Sequence, residues 1–226
     1  MSAQHTSPRL PRIRVPASAR SFEGFRRWMR SPSCPERGRF AYLDDAVLAD
    51  MSPEELETHN KIKMEVSRVI ANLSRTLGAG TFYGDGTLLT NRRARLSTEP
   101  DGLYVRHATV RRGRVHLTAR PGRPGEYLEL VGSPDWVLEV VSRTSIDKDE
   151  SLLREAYARA GIEEYWLINA LGSRMQFRIL RLGSRGYEEV KAGHGWRASP
   201  VFDRRFRLVR GRDRLGLRRY TLAIRP

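Results

Sequence analysis

The chain has 226 residues, 39% of them hydrophobic and 30% charged, with a formal net charge of +15. That length suits one domain with short extensions, and no apolar run approaches the roughly 18 residues needed to span a bilayer. Cys34 is the single cysteine, which excludes internal disulfides and thiolate metal clusters. An N-terminus carrying Arg and Pro where a signal peptide needs an apolar centre makes a cytoplasmic location the expectation.

The basic charge invites a nucleic-acid partner, but it is unevenly spread. Residues 1–40 set nine Arg against Glu23 and Glu36, and residues 201–226 set nine more against Asp203 and Asp213. Each terminal segment is therefore +7, and the 160 residues between them sum to +1. These skirts suit phosphate binding and a plain solvated surface equally.

In chain order, residues 1–20 are rich in Pro, Arg and Ser without periodicity, which predicts a flexible basic tail. The spacing of Phe22, Phe25, Trp28 and Met29 predicts a short amphipathic helix over 21–30. Phe40, Tyr42 and Leu43 precede Asp44 and Asp45, and Val47 and Leu48 follow, the pattern of a hairpin around an acidic turn. Ser52, Pro53 and Glu55 spell a capped helix start, with Glu55 reaching back to the Ser52 N–H. Ile62, Val66, Val69, Ile70, Leu73 and Leu77 then form one buried stripe, ended by Gly78 and Gly80.

From about 81 to 133 the chain is strand-like, with candidates at 88–90, 102–105, 114–118 and 127–131. The nearly continuous apolar run at 134–142 predicts a central strand buried on both faces. A helix follows over 147–160, with Leu152, Leu153, Ala156, Tyr157 and Ala160 as its stripe, Asp147 and Glu150 as a capping pair, and Gly161 as its stop. A second buried strand at 162–169 makes the pair parallel, joined by a right-handed crossover. Tyr157 and Trp166 fall among core residues. Met175, Phe177 and Ile179 alternate in a further strand that pairs with 187–190.

Glu139 is the residue this pattern does not explain. Asp135, Val137, Glu139 and Val141 share one face of the 134–142 strand, so Glu139 is a carboxylate in the middle of a core strand. Such a charge must be paired or bound to a metal, and a salt bridge to one of the many arginines is as good a reading as a cation. Asp135 and Glu139 stand about 13 Å apart along the strand, too far to ligate one ion. Asp101, at the start of the 102–105 strand, is a better second carboxylate, because Mg²⁺ needs only one or two besides water and phosphate oxygens. Lys148 is the lysine placed to reach back from the following helix. The remaining histidines His5, His107, His116 and His194 lack metal-ligand spacing.

The blocks PDWVLEVVS and SIDKDESLLREAYARAGIEEYWLIN, with ERGRFAYLDD, DMSPEELETHNKIK, GDGTLLTN and LSTEPDGLYV, cover most of the chain. Together they resemble the Uma-type family, whose members are described as restriction endonucleases, a branch of the PD-(D/E)xK nuclease superfamily. The resemblance implies an α/β fold, a restriction-endonuclease-like core with a mixed central β-sheet flanked by helices and extra N- and C-terminal β elements. It implies one domain over 21–226, with the nuclease core at about 53–170 and a β-rich extension over 171–226.

Its implied activity is Mg²⁺-dependent hydrolysis of DNA phosphodiester bonds, with Mn²⁺ able to substitute. By the same resemblance Asp101 and Glu139 are the metal carboxylates and, with Lys148, the catalytic set; Asp135, Glu65 and Ser142 are supporting candidates. His59 also matches a family position, although a lone His there suits a capping or surface role. Three positions depart from the pattern: Val141 stands where the motif lysine belongs, Leu153 where many relatives carry a lysine, and Asn169 where Asp is usual. Arg154, next to Leu153, is turned about 100° around the helix. These departures motivate an alternative, a degenerate nuclease fold that binds DNA without cutting it, beside a third reading as a basic protein-interaction module. Cutting both strands of a duplex would call for two sites and hence a homodimer.

Overall fold

Aromatic burial organises the N-terminal part of the computed structural model, which describes residues 14–226. Helix α1 (Phe22–Met29) is capped by Ser21, whose hydroxyl accepts from Gly24 N at 3.2 Å. It lays Phe22, Phe25 and Trp28 against Phe40 and Tyr42 of β1 (Arg39–Leu43), which pairs antiparallel with β2 (Ala46–Asp50). Asp44 and Asp45 form the turn, both at positive φ (48° and 59°), as a two-residue hairpin requires. Of the expected tail over 1–20, residues 1–13 lie outside the described part. Beyond them Ala17–Arg20 forms a 3₁₀ turn with Ala19 fully buried, so this end of the segment is anchored by packing.

The second helix does not start at Ser52. Residues 51–55 are non-helical, and Ser52 turns to Asp50 instead, with its N–H 2.9 Å and its hydroxyl 2.5 Å from Oδ1. Glu55 is the cap: its carboxylate accepts from Glu57 N at 2.9 Å and Thr58 N at 2.5 Å. A charged acceptor reaching two free N–H groups outcompetes a hydroxyl that already has a partner. A π-helical turn (Leu56–Asn60) leads into α2 (Lys61–Leu77), whose stripe of Ile62, Val66, Val69, Ile70 and Leu73 is buried as the spacing predicts. Gly78, at φ 59°, ends it in the left-handed conformation.

Then come β3 (Gly80–Gly84), β4 (Leu89–Asn91), β5 (Leu96–Thr98), β6 (Gly102–Arg106), α3 (His107–Arg111), β7 (Val115–Arg120), β8 (Arg123–Gly132) and β9 (Trp136–Val140). After a π-helical turn (Lys148–Leu152) follow α4 (Leu153–Arg159), β10 (Glu164–Asn169), β11 (Gln176–Gly183), β12 (Gly186–Glu189), β13 (Arg197–Ser199), β14 (Arg204–Arg212) and β15 (Arg218–Arg225). The expected Asp147–Glu150 capping pair is absent: Asp147 makes no capping bond, and Glu150 accepts from Asn169 Nδ2 at 3.2 Å. The Gly161 stop stands, at φ 71°.

The strands form three sheets, ordered β2-β1-β5-β4-β8-β7, β12-β11-β10-β9-β6-β3 and β13-β14-β15. In the second, central sheet β9 and β10 are parallel, with Leu138 opposite Trp166, while their outer neighbours run antiparallel. Alternation gives this sheet two apolar faces. Val137, Val141, Tyr165 and Leu167 pack with α4 and the first sheet, whereas Trp136, Leu138, Val140 and Trp166 pack with α2 and the third. Glu139 points into the first of these layers.

Candidate active site

β6 and β9 pair antiparallel with Gly102 opposite Leu138, so one further step of register sets Asp101 beside Glu139. Both are buried, at 5% and 3% exposure, and both line a cavity of about 300 Å³ between the β1–β2 hairpin, the central sheet and the start of α4. Asp101 Oδ2 accepts from Val140 N at 2.8 Å and lies 3.4 Å from His59 Nε2. Burial pushes the Asp101 carboxyl up, but these partners and the Lys63 charge outweigh it and hold it below its ordinary value. Glu139 goes the other way. Burial raises it well above the usual carboxylate range, helped by the charges of Asp149 and Asp101 and opposed by Lys148. Its Oε1 accepts from Tyr157 Oη at 2.5 Å.

Lys148 lines the same cavity from the turn before α4, with Nζ 3.1 Å from Asp149 Oδ1. That contact is an ion pair between neighbours in sequence. Burial would depress the Lys148 amine, yet Glu139 and Asp149 more than compensate and raise it, so it stands as an ammonium. Asp149 itself is pushed up by burial, while Ser145 Oγ donates to its Oδ2 at 2.5 Å.

Behind Asp101 lies a run of alternating charge. His59 Nδ1 is 2.9 Å from Glu54 Oε1, Lys63 Nζ is 2.5 Å from that oxygen, and Lys63 also reaches Asp85 Oδ2 at 2.7 Å. Burial lowers the His59 pKa, but Asp101 and Glu54 together raise it above its ordinary value. His59 and Lys63 are four residues apart on one helical face, the one signal in the sequence that links them. Arg39, on β1, adds a half-exposed guanidinium at the wall, raised despite burial by the charges of Asp101, Asp85 and Glu54.

The other candidates lie elsewhere. Asp135 sits at the far end of β9, accepting from Arg106 N and Thr109 Oγ1 at 2.7 Å each, and so fixes the start of α3. Glu65 pairs with Arg68 at 2.9 Å and accepts from Leu222 N at 3.0 Å, tying α2 to β15. Ser142 binds Ser145 (N to Oγ, 2.9 Å) and shapes the loop whose Thr144 and Ser145 line the cavity. Val141 and Leu153 are both fully buried in the core layer. Tyr157 is core by its ring yet bonds Glu139 by its hydroxyl, and with Asp149, Lys63 and Arg39 it is what the sequence reading passes over. Among the described residues, no three His, Cys, Asp or Glu side chains group as metal ligands.

A mixed central sheet with a buried acidic pair on adjacent strands and a lysine at the following helix has the build of a restriction-endonuclease-like nuclease. Residues 22–209 match the Uma2 family, described as "Putative restriction endonuclease", and the chain belongs to that family. A crystal structure described as "a putative nuclease belonging to DUF820", from Anabaena variabilis, superposes with a TM-score of 0.50. Identity is 16%, over 73% of this chain and 83% of that one, so the likeness concerns the fold. No curated protein matches the chain.

Proposed function

We propose that the chain is a Mg²⁺-dependent DNA endonuclease whose reaction centre is the cavity at Asp101 and Glu139. The observation that carries this reading is that two carboxylates from neighbouring strands and the Lys148 amine line one half-open cavity. The donor set suits a hard divalent cation: Asp101 and Glu139 offer oxygens, and among the described residues no hydrogen bond engages Asp101 Oδ1 or Glu139 Oε2. These two residues would hold the ion. When bound, Mg²⁺ supplies a Lewis acid that polarises the phosphate and activates water.

The chain's own groups do the rest. Val140 N–H and His59 fix the Asp101 carboxylate, and Tyr157 fixes one oxygen of Glu139, so the pair is oriented before substrate arrives. Lys148, kept protonated by its acidic neighbours, donates to the attacking water or to a phosphate oxygen and does not act as a base. Arg39 faces the same space and offers a fork for the phosphate. In Asp101→Ala or Glu139→Ala, Mg²⁺-dependent nicking of plasmid DNA should disappear while the far-ultraviolet circular dichroism stays that of the parent. Cleavage at the parental rate by both variants rules this centre out.

The second reading, a degenerate site that binds DNA without cutting, is favoured by the buried Val141 and Leu153 and by the tie between Lys148 and Asp149. Titration calorimetry with Mg²⁺ or Mn²⁺ separates the two. Binding lost in Asp101→Asn supports the catalytic reading, and no binding by the parent supports the degenerate one.

A further inference from the structure

The outward face of the C-terminal sheet carries a charge pattern that the cavity does not account for. On β14, Phe206 and Leu208 are buried, so Arg205, Arg207 and Val209 point outward. On β15, Tyr220 and Leu222 are buried, which leaves Arg219, Thr221, Ala223 and Arg225 on the same outward side. The register puts Arg205 opposite Arg225 and Arg207 opposite Ala223. Like charges facing each other across two strands destabilise a sheet, and nothing on this face offsets them. Its carboxylates are at the ends: Asp203 precedes β14, and Asp213 lies in the β14–β15 turn, accepting from Leu215 N and Leu217 N at 2.9 Å each.

Trp196 pre-orders part of this surface. Arg225 Cζ lies 4.4 Å and Arg207 Cζ 5.3 Å from its ring centroid. Cation–π contact restrains the two guanidiniums without neutralising them. Arg207 also borders a groove of about 880 Å³ that Arg178, Arg197 and Arg210 share with one carboxylate, Glu189. There Arg197 Nε is buried without a hydrogen-bond partner. The sheet packs through Phe206, Leu208, Tyr220 and Leu222 onto the face of the central sheet turned away from Glu139.

We propose that this outward face, with its flanking groove, binds the phosphate backbone of nucleic acid at a surface separate from the cavity. Restrained arginine forks suit phosphate oxygens in particular, and the absence of carboxylates from the face suits a polyanion. The choice of nucleic acid over an anionic lipid surface or an acidic protein rests on the nuclease reading above.

The test is fluorescence anisotropy of a labelled DNA duplex with the full chain in EDTA, across a salt series. Beside the parent stand the Arg205→Gln/Arg207→Gln/Arg219→Gln/Arg225→Gln quadruple variant, its Arg→Lys counterpart and Arg75→Gln. The glutamine variant should bind at least tenfold more weakly, and the slope of log K against log salt should fall by about 3.6, since each of the four lost phosphate contacts removes roughly 0.9. The lysine variant should retain most of the affinity, and Arg75→Gln, an exposed position on α2, all of it.

Unchanged affinity and slope in the glutamine variant overturn the proposal. So does a parent that ignores DNA, including one that instead sediments with phosphatidylserine vesicles. If DNA binds through these arginines but is never cut, the surface stands and the nuclease reading falls. Cutting that needs Glu139 but not the arginines, with binding unchanged, gives the reverse.

Discussion

Glu164 is a carboxylic acid with none of its surface exposed, at the first position of β10. Trp166 Nε1 and Ser199 Oγ donate to its Oε1 at 2.5 and 2.6 Å, and Val201 N approaches Oε2 at 3.4 Å, so it stitches the central sheet to the C-terminal one. Burial pushes its pKa from the ordinary 4.5 up to about 7, with the three donors only partly opposing the shift. The folded chain therefore holds this proton more tightly than the unfolded chain does. The stability it contributes is complete below the unfolded value and is lost as pH rises through about 7, a change on the order of 3 kcal/mol. Glu164→Gln keeps an acceptor and removes the titration. The unfolding free energy of the parent minus that of the variant, from urea melts, should fall between about pH 5 and 7 and level off above. A constant difference across that window would mean that Glu164 titrates like an exposed glutamate.

At the scale of elements, α1 is fastened to β8 by one buried ion pair. Arg26 Nε and Nη2 reach the two oxygens of Glu129 at 2.7 and 2.9 Å, and each residue is 2% exposed. Removing Arg26 leaves Glu129 in the core with only Arg30 Nη1, 3.5 Å away, as a cation, so Arg26→Ala should destabilise by up to about 3–5 kcal/mol. Arg26→Met combined with Glu129→Leu should cost far less, because no charge is left behind. Urea midpoints for the single and double variants check this, and equal losses would mean that the Glu129 charge left in the core costs nothing.

That pair was not legible in the sequence, since 103 residues separate its members. The stripes of α2 and α4 were legible because each repeats its period long enough to be counted, and β9 and β10 because each is a nearly continuous apolar run. By contrast β4 and β5, with three residues each, and α3, with five, are too short to carry a period; only β4 was anticipated, and β5 and α3 were not. Glu139 was visible as a charge out of place in an apolar strand. Tyr157 and Asp149 were not, because a phenol in a core stripe and an acid in a helical turn look ordinary until packing aims them at Glu139.

For the whole molecule, the first sheet and the start of α4 close over the central sheet and bury Asp101, Glu139 and Asp149 around one cavity, with Lys148 beside Glu139 and Asp149 and His59 beside Asp101. Burial pushes both the Glu139 and the Asp149 carboxyl up, so holding them ionised with no further cation costs stability at this centre. An ion that binds only the folded state returns it as RT ln(1 + [L]/Kd), about 2.7 kcal/mol at a hundredfold excess over Kd. For a chain of this size that corresponds to a rise in Tm of roughly 5–10 °C. Adding MgCl₂ to the EDTA-treated parent should produce such a shift. The Glu139→Gln variant, relieved of a carboxyl whose ionisation burial opposes, should melt no lower than the parent in EDTA and should not respond to Mg²⁺. If it shifts as the parent does, the ion sits elsewhere. If it melts well below the parent in EDTA, Glu139 serves the fold and not a cation.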